Sequence, residues 1–362
     1  MSQRLVYPLI MLLISPLLVT GLAYGASAPA PWGPMKEIET AARKEAKLTV
    51  YAAPGHISEE AQHDISKIFK DKYGIAIDWT TMSARDLSPR IIAEQSTKQY
   101  VADLAMSGIA GNYTELQPRG YVVPILAPST LEKGVWRLDP ATAVPKVRDW
   151  LFINMPVRPS FFINTGMVRP GEEPKTYKDL LDPKWTGKIA LQLPWSGGTG
   201  SGWFRAAYRT LGLDYMKALA KQVVLVVNVD DSADVVVRGQ YPISIAASPE
   251  RARRLVQEGA PVKYTYPKEG GHLSVQGIEM VANAPHPNAT KLFFQWFYTK
   301  EGQSVYAPKT LAISVRKDIP QDYIPAGERY VEGQPFLMPD PEDFSVEKNK
   351  EISKIAEEIF KK

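Results

Sequence analysis

The sequence predicts an α/β fold with largely parallel sheets, divided into two units. Three observations predict it. Helix-period and strand-period segments alternate from about residue 35 to about residue 280. A turn-rich stretch, 117–148, with Pro118, Pro124, Pro128, Pro140 and Pro145, separates a first unit from a second. His272 to Val281 then reads as one long strand returning to the first unit. Ligands of such sheets gather outside the carboxyl ends of the strands. The loops expected to matter are therefore 53–57, 81–86, 106–112, 194–202 and 229–233.

The elements follow in order. Residues 35–46 have the apolar spacing of an amphipathic helix, and Leu48 to Ala53 is a strand broken by Pro54-Gly55. Ser58 is a natural N-cap for a helix that places Ile65, Ile68, Phe69 and Tyr73 on one face. Ile75 to Trp79 is a strand, Thr81 to Asp86 a loop, and Pro89 opens the next helix. Ala102 to Met106, Phe152 to Asn154, Ser160 to Asn164 and Lys188 to Leu193 read as strands, with a helix from about Trp203. Near the end, Ile352, Ile355, Ala356, Ile359 and Phe360 fall on one helical face that should dock on a lobe.

Composition narrows the class. Arg4, an apolar run from Leu5 to Leu22 and the small residues 23–28 form a signal-peptide pattern, with an uncleaved anchor as the rival reading. The chain of 362 residues has no cysteine, which excludes disulfides, thiol catalysis and a lipid-modified cysteine. Its formal charge of +4 is dispersed, so no nucleic-acid stripe is expected. The tightest basic cluster, Arg251, Arg253 and Arg254 near Glu250 and Glu258, reads as a solvated helix face.

The most informative stretch runs from Asp179 to Gly202. A strand there leads through Trp195-Ser-Gly-Gly-Thr199 to a helix start. Small residues at that position expose backbone N–H groups at the positive end of a helix dipole, which suits an anion.

Several segments also carry a family resemblance: Leu48-Thr-Val-Tyr51, Ala102-Asp-Leu-Ala105, Phe162-Ile-Asn-Thr165, Tyr177-Lys-Asp-Leu-Leu-Asp-Pro-Lys-Trp-Thr-Gly-Lys188, Ala282-Asn-Ala-Pro-His-Pro-Asn-Ala289 and Gly302-Gln303. From Leu48 to Pro308 the chain resembles type II periplasmic solute-binding proteins of ABC importers. It is most similar to the branch of ferric-ion, thiamine, hexose-phosphate and aminoethylphosphonate binders. The resemblance implies a signal peptide (1–28), a first lobe (29–151), a second lobe (152–271), a return to the first lobe (272–315) and a C-terminal helical region (316–362) packing on the lobes. It implies a ligand cleft at the hinge, a periplasmic location, and an inner-membrane permease and ATPase as partners. We expect a monomer, no enzymatic activity, no cofactor and no resident metal.

The departures bear on the ligand. The tyrosine pair that clamps iron in the ferric binders falls on Pro249 and Glu250, and their carboxylate falls on Arg85. The anion-holding loop persists at Ser196-Gly197-Gly198. The expected ligand contacts are Gly55, His56, Ser83, Arg85 and Ser107 from the first lobe. From the second they are Trp195, Ser196, Gly197, Gly198, Thr199, Asp231 and Glu250. Arg85 is read as a bidentate fork for a carboxylate or phosphate, or as a surface residue paired with Asp86 or Glu94. Asp231 is read first as a helix cap, then as an acceptor for ligand hydroxyl or amine groups. Trp195 and Trp203 either cover a ring or pack in the lobe. His63, His272 and His286 are read as structural.

The first function is thus capture of a small organic anion bearing phosphate, phosphonate or carboxylate. The alternative is a ferric receptor with an improvised set of His56, Asp231 and Glu250, assisted by Tyr51 or Tyr113. A secreted serine hydrolase using Ser196 is remote, because Pro194 stands where a nucleophile elbow needs glycine.

Overall fold

The computed structural model describes residues 32–108, 115–123, 127–137, 151–154, 157–158, 160–228, 230–273, 276–337, 339 and 346–361. The signal-peptide pattern and Tyr113 lie outside them.

The first sheet is built from β1 (Lys47–Ala52), β2 (Ala76–Thr81), β3 (Leu104–Gly108), β4 (Val122–Val123), β5 (Leu151–Asn154) and β13 (Gln276–Val281). Its order is β2-β1-β3-β13-β4, with β5 also on β13. β1 runs parallel to β2 and β3, and β13 antiparallel to β3. Helices α1 (Met35–Glu45), α2 (Glu59–Tyr73) and α3 (Ala84–Thr97) belong to this half. Two aromatic-rich helices follow β13: α7 (Pro287–Phe297) and α8 (Lys300–Thr310). Leu48, Val50, Leu104, Met106 and Ile278 pack with Phe69, Phe293, Trp296 and Phe297 in one buried core. As expected, Ser58 caps α2, accepting the Ala61 N–H at 3.1 Å.

Three sequence segments of the resemblance meet in this lobe. Asp103 is fully buried and accepts the backbone N–H of Thr49 and of His286, each at 2.7 Å. It also lies 2.8 Å from His286 Nδ1, so this histidine is structural, as read.

The second sheet contains β7 (Phe161–Asn164), β8 (Ile189–Gln192), β9 (Val223–Val226), β10 (Ile243–Ile245) and β11 (Val262–Thr265), in the order β11-β7-β10-β8-β9. β8, β9 and β10 are parallel. Its helices are α4 (Thr199–Leu219), α5 (Asp231–Val237) and α6 (Pro249–Gln257). Phe161 and Ile163 enter one core and Phe162 enters another, so the sheet is covered on both faces. The C-terminal α9 (Val346–Phe360) docks on the second lobe, where Phe360 meets Phe204 edge-on at 5.9 Å.

A third, small sheet joins the two. It orders β14 (Phe336–Leu337), β12 (Gly271–Leu273) and β6 (Val157–Arg158). The return expected as one strand from His272 to Val281 is thus two, β12 in the joining sheet and β13 in the first. Two helix starts are also corrected. α3 begins at Ala84 and carries Pro89 inside it, so Arg85 stands in a helical first turn and not in a loop. α4 begins at Thr199, not near Trp203, because Gly198 supplies the N-cap turn with φ 84°.

Candidate functional site

Every expected contact lies at or beyond the carboxyl end of a parallel strand. Gly55 and His56 follow β1, Ser83 and Arg85 follow β2, and Ser107 is near the end of β3. Trp195 to Thr199 follow β8, Asp231 follows β9, and Glu250 follows β10. The two edges touch. A Cβ placed on Gly55 would lie 3.8 Å from Ser248 Oγ, just before α6. Arg254 of α6 pairs with Glu60 of α2 at 3.2 Å.

On the first lobe, Gly55 turns the chain with φ 81°. His56 is 9% exposed; its carbonyl accepts the Tyr306 hydroxyl at 2.9 Å, which ties the loop to α8. Ser83 is exposed and donates its hydroxyl to Asp86 at 2.6 Å. Ser107 is buried opposite Gly277 of β13. The backbone of Arg85 sits in the first turn of α3; its side chain lies outside what the structure describes. One rival partner for Arg85 is committed elsewhere, since Glu94 pairs with Arg90 at 2.6 Å and accepts the Tyr51 hydroxyl at 2.6 Å.

On the second lobe the Ser-Gly-Gly-Thr loop wraps around Gln192. The Gln192 amide donates to the Gly197 carbonyl at 2.9 Å and accepts the Gly200 N–H at 2.8 Å. Ser196 donates both its N–H and its hydroxyl to the Leu193 carbonyl, at 3.3 and 3.2 Å. Gly197 and Gly198 have φ of 81° and 84°, a conformation that favours glycine. Gly200 is required by space: a Cβ there would lie 2.2 Å from the Gln192 carbonyl oxygen. The Thr199 hydroxyl, in the first turn of α4, is buried with no partner among the described residues. The loop thus presents a helix N-terminus with a hydroxyl in reserve.

Two expectations are corrected here, for Asp231 and Arg253, and of the two readings given for Trp195 and Trp203 the packing one holds. Trp195 packs against the second core and, with Leu193, Val223, Leu225 and Phe360, lines a depression of about 370 Å³ beside the C-terminus. Trp203 is fully buried in that core, packed against Tyr177. Asp231 is not the N-cap but the first residue of α5, and its carboxylate accepts the Asn228 side-chain amide at 2.9 Å. Arg253 is not on a solvated face: it is 2% exposed and pairs with Glu328 at 2.8 Å. The signal was in the sequence, because Pro249, Ala252, Arg253 and Val256 share one helical face with i, i+3, i+4, i+7 spacing.

Glu250 is buried beside this pair, with Ser248 Oγ 3.3 Å from its carboxylate. Burial raises the carboxyl of Glu328, against the pull of Arg253. A larger depression, about 780 Å³, lies among Glu173, Lys178, Asp182, Lys184 and Trp185, and none of the expected contacts lines it.

The improvised metal set is not assembled. Among the described residues no three His, Asp or Glu side chains gather to hold an ion. Tyr51 is tied to Glu94, and its phenol is raised above its ordinary value, first by burial and then by that bond. Ser196 has its hydroxyl on a carbonyl, and His286 is held by Asp103 in the other lobe, so no Ser–His pair forms between them.

The bacterial extracellular solute-binding protein family matches residues 48–308. An uncharacterized protein of Haemophilus influenzae is 24% identical over 299 residues, covering 80% of this chain and 79% of its own. Among solved structures, iron-bound HitA from Pseudomonas aeruginosa superposes with a TM-score of 0.70 at 20% identity, covering 87% of this chain and 99% of HitA. The periplasmic binding protein AfuA from Actinobacillus pleuropneumoniae, with exogenous fructose-6-phosphate, gives 0.68 at 18% identity, covering 87% and 98%.

Proposed function

The chain belongs to the bacterial extracellular solute-binding proteins, and from that premise we propose that it captures a small organic anion for an ABC importer. The anion bears phosphate, phosphonate or carboxylate, and its remainder carries hydroxyl or amino groups. The observation that carries this reading is the start of α4, where Gly197, Gly198 and the unpartnered Thr199 hydroxyl stand at a helix N-terminus. Arg85 approaches from the first lobe, and Glu250 accepts from the ligand's hydroxyl or amino donors. Contacts from both lobes favour the form in which they close. An inner-membrane permease and its ATPase then receive the solute from the receptor, whose segment 1–28 has been removed.

HitA was solved with iron and AfuA with a hexose phosphate, so both ligand classes belong in the test. The mature protein is heated with sugar phosphates, phosphonates, small carboxylates, thiamine, and Fe(III) with or without carbonate. A ligand raises the melting temperature because it adds RT ln(1+[L]/Kd) to stability. We expect a rise with one anion class. A rise with Fe(III) alone would replace this reading with the ferric one, and no rise with any anion would overturn it. Arg85→Ala should then weaken the identified anion by about 1.5–3 kcal/mol, as loss of a charge-assisted bond requires.

A further inference from the structure

The family match ends at Pro308, yet the chain beyond it crosses from one lobe to the other. Its first part is fastened to the first lobe. Within the segment, the Tyr323 hydroxyl donates back to the Ala312 carbonyl at 2.9 Å, just after α8, which holds its fold. Arg137 donates to the carbonyls of Ser314 and Ile319 at 3.0 and 3.1 Å. Arg316, 2% exposed, pairs with Asp318 and Glu132. Its next part meets the second lobe. The Tyr266 hydroxyl, beyond β11, donates to the Glu328 carbonyl at 3.3 Å. Residues 336–337 then join the small sheet as β14, and α9 ends on the second core.

At the crossing lies the buried pair already described. Arg253 on α6 donates its Nε to Glu328 at 2.8 Å and its Nη1 to the Leu311 carbonyl at 2.7 Å. Leu311 is the C-cap residue of α8, on the first lobe. One guanidinium of the second lobe is therefore held both by the α8 end of the first lobe and by the crossing segment, through Glu328, and both charged side chains of the pair are almost fully buried. A buried pair is costly to break on one side, because it leaves an uncompensated charge. Separating α6 from the α8 end and the strap does that.

We propose that residues 311–337 form a strap whose Glu328 latches Arg253, so that an internal ion pair, besides the solute, holds the two lobes together. The consequence is a receptor whose lobes stay together in a large fraction of molecules before any solute arrives. Opening is then the step the latch controls. A latch that favours the binding-competent form also raises apparent affinity, since less of the binding energy is spent on closing. This rests on the two-lobed solute-binding reading but not on the chemistry of the solute.

The absence of cysteine makes the test direct. Lys70→Cys on α2 and Lys217→Cys on α4, both exposed, receive spin labels in the mature protein. The protein is unfolded and refolded to strip co-purified solute, and the interlobe distance distribution is measured without ligand. We expect the short distance to dominate. Glu328→Gln should lower the ratio of short to long distances by about tenfold or more. Tyr323→Phe, which loosens the strap without touching the pair, should lower it by less. A dominant long distance in the otherwise unaltered chain would overturn the proposal, as would a folded Glu328→Gln with an unchanged distribution. If Glu328→Gln does not fold, an unchanged distribution in Tyr323→Phe overturns it. Failure of the solute screen would leave this result readable, because no solute is present.

Discussion

The loops that follow β8 and β10 are neighbours on one sheet, yet their polar groups are satisfied in opposite ways. After β8, Gln192 bonds Gly197 and Gly200 while Ser196 bonds the Leu193 carbonyl, all between residues 192 and 200, so the α4 N-terminus is assembled by its own lobe. After β10, Ser248 stands against Gly55, and Arg253 reaches the Leu311 carbonyl and Glu328 beyond the lobe. The first loop is a preformed half-site that does not depend on how the lobes are placed. The second is a contact that exists only while they are together. A solute-binding protein needs both: a rigid surface to select the solute and a separable one that opens to admit and release it.

The strongest way to break the first loop is Gly200→Val. Its Cβ would overlap the Gln192 carbonyl at 2.2 Å, and neither a strand end nor a helix start can move aside freely. The expected loss is about 3 kcal/mol or more, as for overpacking against backbone. Urea denaturation measures it; a variant as stable as the parent would mean that the loop is not packed as described. Gln192→Ala is next. It strips the amide that holds Gly197 and Gly200, at an expected cost of about 1–2 kcal/mol, and it should weaken solute binding because the half-site loses its shape. The β10 side is expected to differ. Ser248→Ala removes the cap of α6, which accepts the Arg251 N–H at 3.4 Å, for about 1 kcal/mol. If the two loops behaved alike, with equal effects on affinity and stability, the distinction between preformed and separable surfaces would fail.

Much of this was legible in the sequence. The alternation of periods gave two α/β units, and the Ser-Gly-Gly-Thr stretch marked the turn between strand and helix, though not the residue at which the helix begins, because glycine and small residues have few other uses there. Helix boundaries were harder to read. Pro89 suggested an opening position, yet the helix begins five residues earlier, at Ala84. For Trp195 and Trp203 the sequence leaves ligand cover and packing open, because the C-terminal helix that shares their core lies far along the chain and such long-range packing leaves no local trace. Arg253 was misread for a different reason. Three arginines within four residues suggest a solvated face, while the spacing that puts Arg253 beside Pro249 and Ala252 shows that one of them turns inward. Its partner, Glu328, lies 75 residues on.

The smallest expected effect separates the two kinds of ion pair by pH. Glu173 pairs with Lys263 at 2.6 Å inside the second lobe, and its carboxylate also accepts the Gly171 N–H at 2.7 Å. The lysine bond foremost, with backbone N–H groups behind it, lowers the Glu173 carboxyl to about 2. A carboxyl lowered in the folded protein stabilises it above the ordinary value of 4.5, and that contribution is lost as pH falls from there towards about 2. Because Lys263 is 44% exposed, solvent screening leaves about 1 kcal/mol or less. Glu328 is displaced the other way, raised by burial against the attraction of Arg253, so it takes up its proton at a higher pH than Glu173 does. Acidification should therefore loosen the interlobe pair first and weaken the second lobe later. Interlobe distances and melting temperatures followed from pH 7 to pH 2 should change in that order. Glu173→Gln should flatten the late fall in melting temperature and leave the early change in distance untouched; a distance change that moves with Glu173→Gln would mean that the two pairs are not independent.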